Sequence, residues 1–207
     1  MNRVDQILMA ADEALKTLTG AMTAARPSPC HRGAAPEAPA EKRRSAGLMR
    51  VNHTGEICAQ ALYSGQALVA RDSAVRGALQ AAASEERDHL AWCRDRLHEL
   101  DSRPSFLNPL WYAGSFGLGV VSGLAGDRWS MGFLAETEAQ VERHLYGHLD
   151  MLPPADACSR EIVSRMREDE ARHGTMGRDL GARDLPAPVK AVMRVASRIM
   201  TRTAYWI

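Results

Sequence analysis

The sequence predicts an all-α fold: a four-helix bundle with a long hydrophobic crossover and an extra helix at each end. Three observations lead there. Ala, Arg and Leu are the commonest residues while β-branched residues are sparse, which favours helix over sheet. Apolar residues recur at helical spacing in one segment after another. Proline-bearing breaks then cut the chain into helix-length pieces.

The elements follow in order. Residues 4–18 place Val4, Ile7, Leu8, Ala11, Leu15 and Leu18 on one stripe, so residues 1–20 form an amphipathic helix. It docks on the main domain or on a partner; both readings are open. Residues 21–47 lose that period and carry Pro27, Pro29, Pro36 and Pro39, as expected of a mobile linker. Residues 48–207 form the main domain. Its helices are expected over 48–71, 74–100, 128–151 and 155–180, with a last one after Pro188. Asp101-Ser102-Arg103-Pro104 stops the second, and Pro153-Pro154 stops the third. Pro104 to Gly126 is a stretch of 23 residues without charge, and by length alone it reaches across a bilayer.

Composition narrows the class. A chain of 207 residues holds one or two domains, and 45% hydrophobic content supports a core. A net charge of +1 provides no general field for nucleic acid. Cys30, Cys58, Cys93 and Cys158 form no C-x-x-C pair, so no thiolate zinc site is signalled. Cys58 and Cys93 sit in helical segments and read as small buried apolar residues, which suits a reducing compartment. Asp5, Asp12 and Glu13 occupy an N-terminus with no apolar core for export, so a cytoplasmic protein is expected.

The chemistry lies in two E-x-x-H pairs, Glu86/His89 and Glu170/His173. Residues i and i+3 project from one helix face, and both pairs lie on apolar stripes. Charges on a core-facing stripe are costly unless something compensates them, and a metal does. Glu56 precedes Glu86 by 30 residues, and Glu138 precedes Glu170 by 32. That interval is a helix, a turn and a return to the same height. Two such hairpins packed together bring four glutamates and two histidines to one level, the ligand set of the ferritin-like dimetal carboxylate proteins. Oxygen-rich ligation with one histidine per ion suits iron or manganese better than zinc or copper. Asp169 and Glu85 each precede a ligand and are candidates to accept a ligand histidine's free N–H; a surface role is the alternative. Tyr63, Glu142 and His144 are further candidates around the site, with core packing an equal reading for Tyr63. His31, His98 and His148 read as surface residues.

Val51-Asn52-His53-Thr54-Gly55-Glu56, the paired E-x-x-H motifs, Pro109-Leu110-Trp111 and Thr137-Glu138-Ala139 resemble the demethoxyubiquinone hydroxylases of ubiquinone biosynthesis, the bacterial type most of all. The likeness runs over about residues 45–207 and leaves out the N-terminal helix and linker. Tyr205-Trp206-Ile207 fits it poorly. The resemblance implies two iron ions, bridged by carboxylates, on Glu56, Glu86, His89, Glu138, Glu170 and His173. It implies an enzyme that uses dioxygen and an electron donor to hydroxylate the ring of a polyprenylated quinone, in contact with a membrane and with other proteins of that biosynthesis. On that basis Glu138 and Glu170 are expected as bridging or terminal ligands of one ion, and Glu56, Glu86 and His89 as ligands of the other.

Membrane contact also has support in the residues. Lys190, Arg194, Arg198 and Arg202 repeat at i, i+4 beside Val192, Val195 and Ile199, with Tyr205 and Trp206 at the end. A basic stripe beside apolar surface reads as an interfacial helix on anionic lipid. The uncharged 104–126 stretch cannot span the bilayer, because spanning would part the two halves of a site whose ions sit roughly 3.5–4 Å apart. It is expected instead to cross the bundle end, dip into the interface and shape a greasy entrance. The rival functions are a ferritin-like iron-storage or peroxide-scavenging protein, a dimetal hydroxylase of another substrate such as tRNA, and a non-enzymatic docking factor with a structural metal.

Overall fold

The computed structural model describes residues 3–30 and 35–207, the side chains of residues 3, 4, 6 and 7 excepted. His31 and the side chains of Val4 and Ile7 therefore lie outside the described residues. Seven helices and no strand occur among the described residues: α1 (Arg3–Thr19), α2 (Pro39–Val69), α3 (Ser73–Glu99), α4 (Asn108–Leu124), α5 (Asp127–Met151), α6 (Ala157–Asp179) and α7 (Ala187–Trp206). Helices α2, α3, α5 and α6 make the ferritin-like bundle.

Helix α2 begins at Pro39, nine residues before the expected start, so the linker is shorter than its composition implied. Proline breaks a helix interior but is preorganised for its first turn, where no N–H partner is needed. The sequence reading took Pro39 as a breaker; the structure uses it as a start.

The hairpin ends are set by side-chain caps. Asp72 caps α3 by accepting from the Ala74 N–H at 2.7 Å. Asp156 caps α6 through the Ser159 N–H at 2.9 Å and also takes Arg96 Nη2 at 2.7 Å, with both side chains fully buried. That pair ties the end of α3 to the start of α6. Gly126 turns the chain from α4 into α5 at φ +113°, a conformation L side chains rarely adopt.

The uncharged crossover departs from expectation. It does not cross the bundle end but runs as α4 along α2, in the same direction. Thr54 donates to Asn108 near the start of α4, and Arg71 Nη2 donates to the Leu124 carbonyl at its end. The glycines that weaken this helix in water are what let it dock. A Cβ on Gly119 would collide with the Leu62 carbonyl oxygen, and one on Gly65 with the Phe116 carbonyl oxygen.

Helix α1 docks on the main domain, one of the two readings left open, but not through its apolar stripe. Leu8, Leu15 and Leu18 of the apolar stripe are exposed, and α1 docks through Ala14 and Glu13 instead. Residues 20–30 then lie across α3 and α6 as an ordered strap. Cys30 is joined to Cys158 of α6 by a disulfide, a pairing across 128 residues that no local pattern announces. Cys58 and Cys93, on which the reducing reading rested, are free thiols; Cys93 is buried as expected and Cys58 is half-buried.

Two apolar layers fill the bundle. One gathers Met49, Cys93, Leu97, Leu145 and Met166; the other gathers Tyr63, Leu79, Met131 and Leu134. Each such large buried side chain contributes about 1.5–3 kcal/mol. Positions 56, 86, 89, 138, 170 and 173 fall between the layers on every helix, which places the polar residues at mid-height with hydrocarbon above and below.

Candidate metal centre

Helices α2 and α5 supply Glu56 and Glu138. Helices α3 and α6 supply Glu86/His89 and Glu170/His173. All six are buried, none more than 4% exposed. Their donor atoms form two groups, each within 4.8 Å: Glu56, Glu86, His89 and Glu170 in one, and Glu138, Glu170 and His173 in the other. The two hairpins thus meet as the spacing predicted.

The finer arrangement adds to that. His89 Nδ1 lies 3.0 Å from Glu86 Oε2 and 3.5 Å from Glu170 Oε1. His173 Nδ1 lies 3.0 Å from Glu86 Oε1 and 3.4 Å from Glu170 Oε2. Glu86 and Glu170 each turn one oxygen to each histidine, the disposition of a bridging carboxylate. Glu138 falls in one group only. The two groups divide as expected, Glu86 with Glu56 and His89 and Glu138 with Glu170, and beyond that division Glu170 enters both groups while Glu86 also reaches His173. Symmetry explains it: Glu86 and Glu170 head equivalent E-x-x-H pairs on facing helices, so they meet on the shared axis.

The charges are strongly frustrated without a cation. Burial and the neighbouring Glu86 push Glu56 well above the usual carboxylate range, and burial with Glu170 does the same to Glu138. Burial also works against ionised Glu86, yet His89 and His173 hold it well below that range. Against burial and the charge of Glu86, His173 and His89 draw Glu170 down as well. Burial disfavours charged imidazole, but the carboxylates raise His89, and they push His173 up to about 11. Despite these short approaches, Glu86 Oε1, Glu170 Oε2 and both ring nitrogens of His173 make no well-aligned hydrogen bond among the described residues. Leaving a buried polar atom unsatisfied costs about 1–3 kcal/mol. The donor set fits a metal pair: four carboxylates cancel two divalent cations, and neutral imidazoles fill the remaining positions.

The surrounding groups sort as follows. Asp169 Oδ2 sits 2.9 Å from His89 Nε2. Glu85, one residue before Glu86, reaches 3.5 Å from His173 Nε2 and pairs with Arg172 at 2.8 Å. Each acid before a ligand thus faces the histidine of the opposite hairpin. Tyr63 donates to Glu138 Oε1. Glu142, one turn after Glu138, is exposed. His144 is half-buried, with Nε2 unpartnered, and its ring centroid is 3.9 Å from that of His148. His148, expected at the surface, is buried with Nδ1 2.7 Å from Asn52 Oδ1. His98 is exposed as expected.

A cavity of about 400 Å³ reaches the centre between α2, α4, α5 and α7. Glu56 lies in its wall, and Trp111, Leu118, Phe133, Met193 and Met200 make most of the rest apolar. Thr137, Gln140 and His144 add polar points. Sequence reasoning missed these residues as a set, because four separate helices each contribute a few of its side chains.

The family model described as "Ubiquinone biosynthesis protein COQ7" matches residues 43–204. The chain is 58% identical over 208 residues to the 3-demethoxyubiquinol 3-hydroxylase of Cupriavidus necator, covering 99% of this chain and 100% of that protein. It is 56% identical over 206 residues to the enzyme of the same name from Bordetella pertussis, covering 99% and 93%. The family model begins after the N-terminal helix and strap, whereas these relatives align with that segment too.

Proposed function

The chain belongs to the ubiquinone biosynthesis protein COQ7 family, and we propose that its six buried ligands hold two iron ions with Glu86 and Glu170 as the bridges. It is a hydroxylase of ubiquinone biosynthesis acting on a demethoxyubiquinol-type ring. The observation that carries the metal assignment is Glu170 standing in both donor groups, with Glu86 likewise turned to both histidines. Bound iron would supply the dioxygen chemistry, placing one oxygen atom on a ring carbon and releasing the other as water with two electrons from a donor.

The protein's own part is positional. Asp169 takes the Nε2–H of His89, which leaves the Nδ1 lone pair turned toward the carboxylates. Tyr63 restrains Glu138. The cavity walls exclude water beside Glu56, and their apolar lining suits a substituted ring with an isoprenoid tail.

The cavity lies between α4 and α7, and both helices carry exposed apolar residues. Leu110, Leu118, Val121 and Leu124 lie on α4; Val192, Val195, Ile199 and Trp206 lie on α7. Arg194, Arg198 and Arg202 are exposed on α7. No helix among the described residues is long and apolar enough to cross a membrane. We therefore read these two helices as a peripheral docking surface on the cytoplasmic face of the cell membrane, through which the polyprenyl substrate enters. Quinone profiling of a deletion strain carrying this chain or its Glu170→Ala form tests the whole reading. Conversion of accumulated demethoxyubiquinol by the wild type alone is expected; equal conversion by both rejects the site.

A further inference from the structure

The strap between α1 and α2 places one side chain behind the metal centre. Arg26 Nε donates to Asp88 Oδ2 at 2.5 Å, and Arg26 Nη1 donates to Asp169 Oδ2 at 2.8 Å. That same Asp169 oxygen takes His89 Nε2 at 2.9 Å. Arg172 and Arg165 also approach Asp169, at 2.7 and 3.4 Å, but both address Oδ1. Arg26 is thus the guanidinium that shares an oxygen with the histidine. Its guanidinium also lies over Trp92, 5.0 Å from the ring centroid, and the Trp92 ring is in turn 5.4 Å from that of His89.

The strap is built to deliver this contact. The Ala25 and Arg26 N–H groups donate to Asp88 Oδ1 at 2.7 and 3.3 Å. Trp92 Nε1 donates to the Arg26 carbonyl at 3.3 Å. Arg94 donates to the Gly20 carbonyl upstream, and the Cys30–Cys158 disulfide anchors the strap downstream. A planar guanidinium addressing two carboxylates fixes their orientation in a way an ammonium does not.

We propose that Arg26 is a positioning residue of the metal centre: it locks Asp169 Oδ2, and through it the ring of His89, in the orientation that presents Nδ1 to one metal ion. A segment outside the family's matched region thereby completes the shell around the site. The inference rests on the metal assignment above. Partners behind a ligand histidine characteristically change metal affinity by about 10–100-fold when lost.

Arg26→Met keeps the apolar stem, both backbone N–H bonds and the disulfide, so the strap stays in place while the link to Asp169 goes. The test loads the full-length wild type, Arg26→Met and Arg26→Lys with Co(II), records the visible ligand-field spectrum and follows metal loss to a chelator, with circular dichroism as the fold control. For Arg26→Met, folded by circular dichroism, we expect a shifted spectrum and loss of one ion on the order of 10-fold faster or more. Arg26→Lys should fall between, because it restores one charge and not the fork. A wild type holding two ions beside an Arg26→Met chain with the same spectrum and off-rates overturns this inference alone. A wild type that takes up no metal overturns it together with the metal assignment.

Discussion

Across the buried centre, the Tyr63 hydroxyl of α2 donates to Glu138 Oε1 of α5. Tyr63 is fully buried, so this bond has no water to replace it. Tyr63→Phe leaves the glutamate oxygen unsatisfied and is expected to cost the metal-free protein about 1–3 kcal/mol. Urea unfolding of chelator-treated protein checks this; an unchanged midpoint would show the contact to be idle.

Glu138→Ala and Glu170→Ala should differ in stoichiometry. Glu138 serves one donor group and Glu170 serves both. The first variant is expected to abolish hydroxylation while keeping part of its metal, the second to keep neither ion firmly. Elemental analysis of purified protein decides it, and equal metal content in the two variants would reject the bridging assignment.

Two buried histidines and the half-buried His144, all outside the ligand set, are expected to make the fold acid-labile. Burial lowers His148 to about 2, with the nearby His144 adding to it. Burial lowers His144 to about 4 and, with Arg94, lowers His53 to about 3. The unfolded chain binds protons at these histidines near pH 6.5 and the folded chain does not. Their contribution is therefore complete above about pH 6.5 and is lost as pH falls from there toward the folded values. Each adds a slope of about 1.4 kcal/mol per pH unit within its window. His148→Asn should flatten the stability profile between pH 6 and pH 4, as the order-of-magnitude slope implies; a profile parallel to wild type would count against this.

Gly119 lets α4 lie against α2 backbone to backbone. Gly119→Val forces the helices apart, because the collision is with a carbonyl rather than a flexible side chain. Destabilisation of about 2–4 kcal/mol or loss of the folded state is expected, in the range of severe overpacking. Gly117→Val, where a Cβ meets nothing, is the matched control in a thermal melt.

Replacing Arg194, Arg198 and Arg202 with glutamine tests the docking surface. Each cation near anionic lipid is worth about 1 kcal/mol, so removing three weakens vesicle binding by on the order of 100-fold. Flotation with phosphatidylserine vesicles measures it, and the wild-type binding should also fall with added salt. Retained binding of the triple variant would place the contact elsewhere.

The six ligands were legible because their signal is periodic. Glu56 to Glu86 and Glu138 to Glu170 repeat one hairpin length, and the i, i+3 spacing assigns each pair to one helix face. Asp169 and Glu85 were legible as neighbours of ligands, but not which histidine each would face. Glu142 follows Glu138 by one turn but is exposed, a difference that spacing along a helix does not show. Pro39 shows a local ambiguity, since the same residue ends a helix or begins one.

By itself the sequence determined the helices, the pairing of hairpins and the set of metal donors, because amphipathic period and covalent spacing are properties of one chain segment at a time. Tertiary structure alone decided that Glu86 and Glu170 each face both histidines, that α4 lies along α2, that a cavity opens beside Glu56, and that Arg26 and Cys30 close over the core. Those depend on contacts between segments tens of residues apart, such as the 143 positions separating Arg26 from Asp169. Such contacts are selected by packing and charge complementarity in the folded interior, which leave no period in the sequence to read.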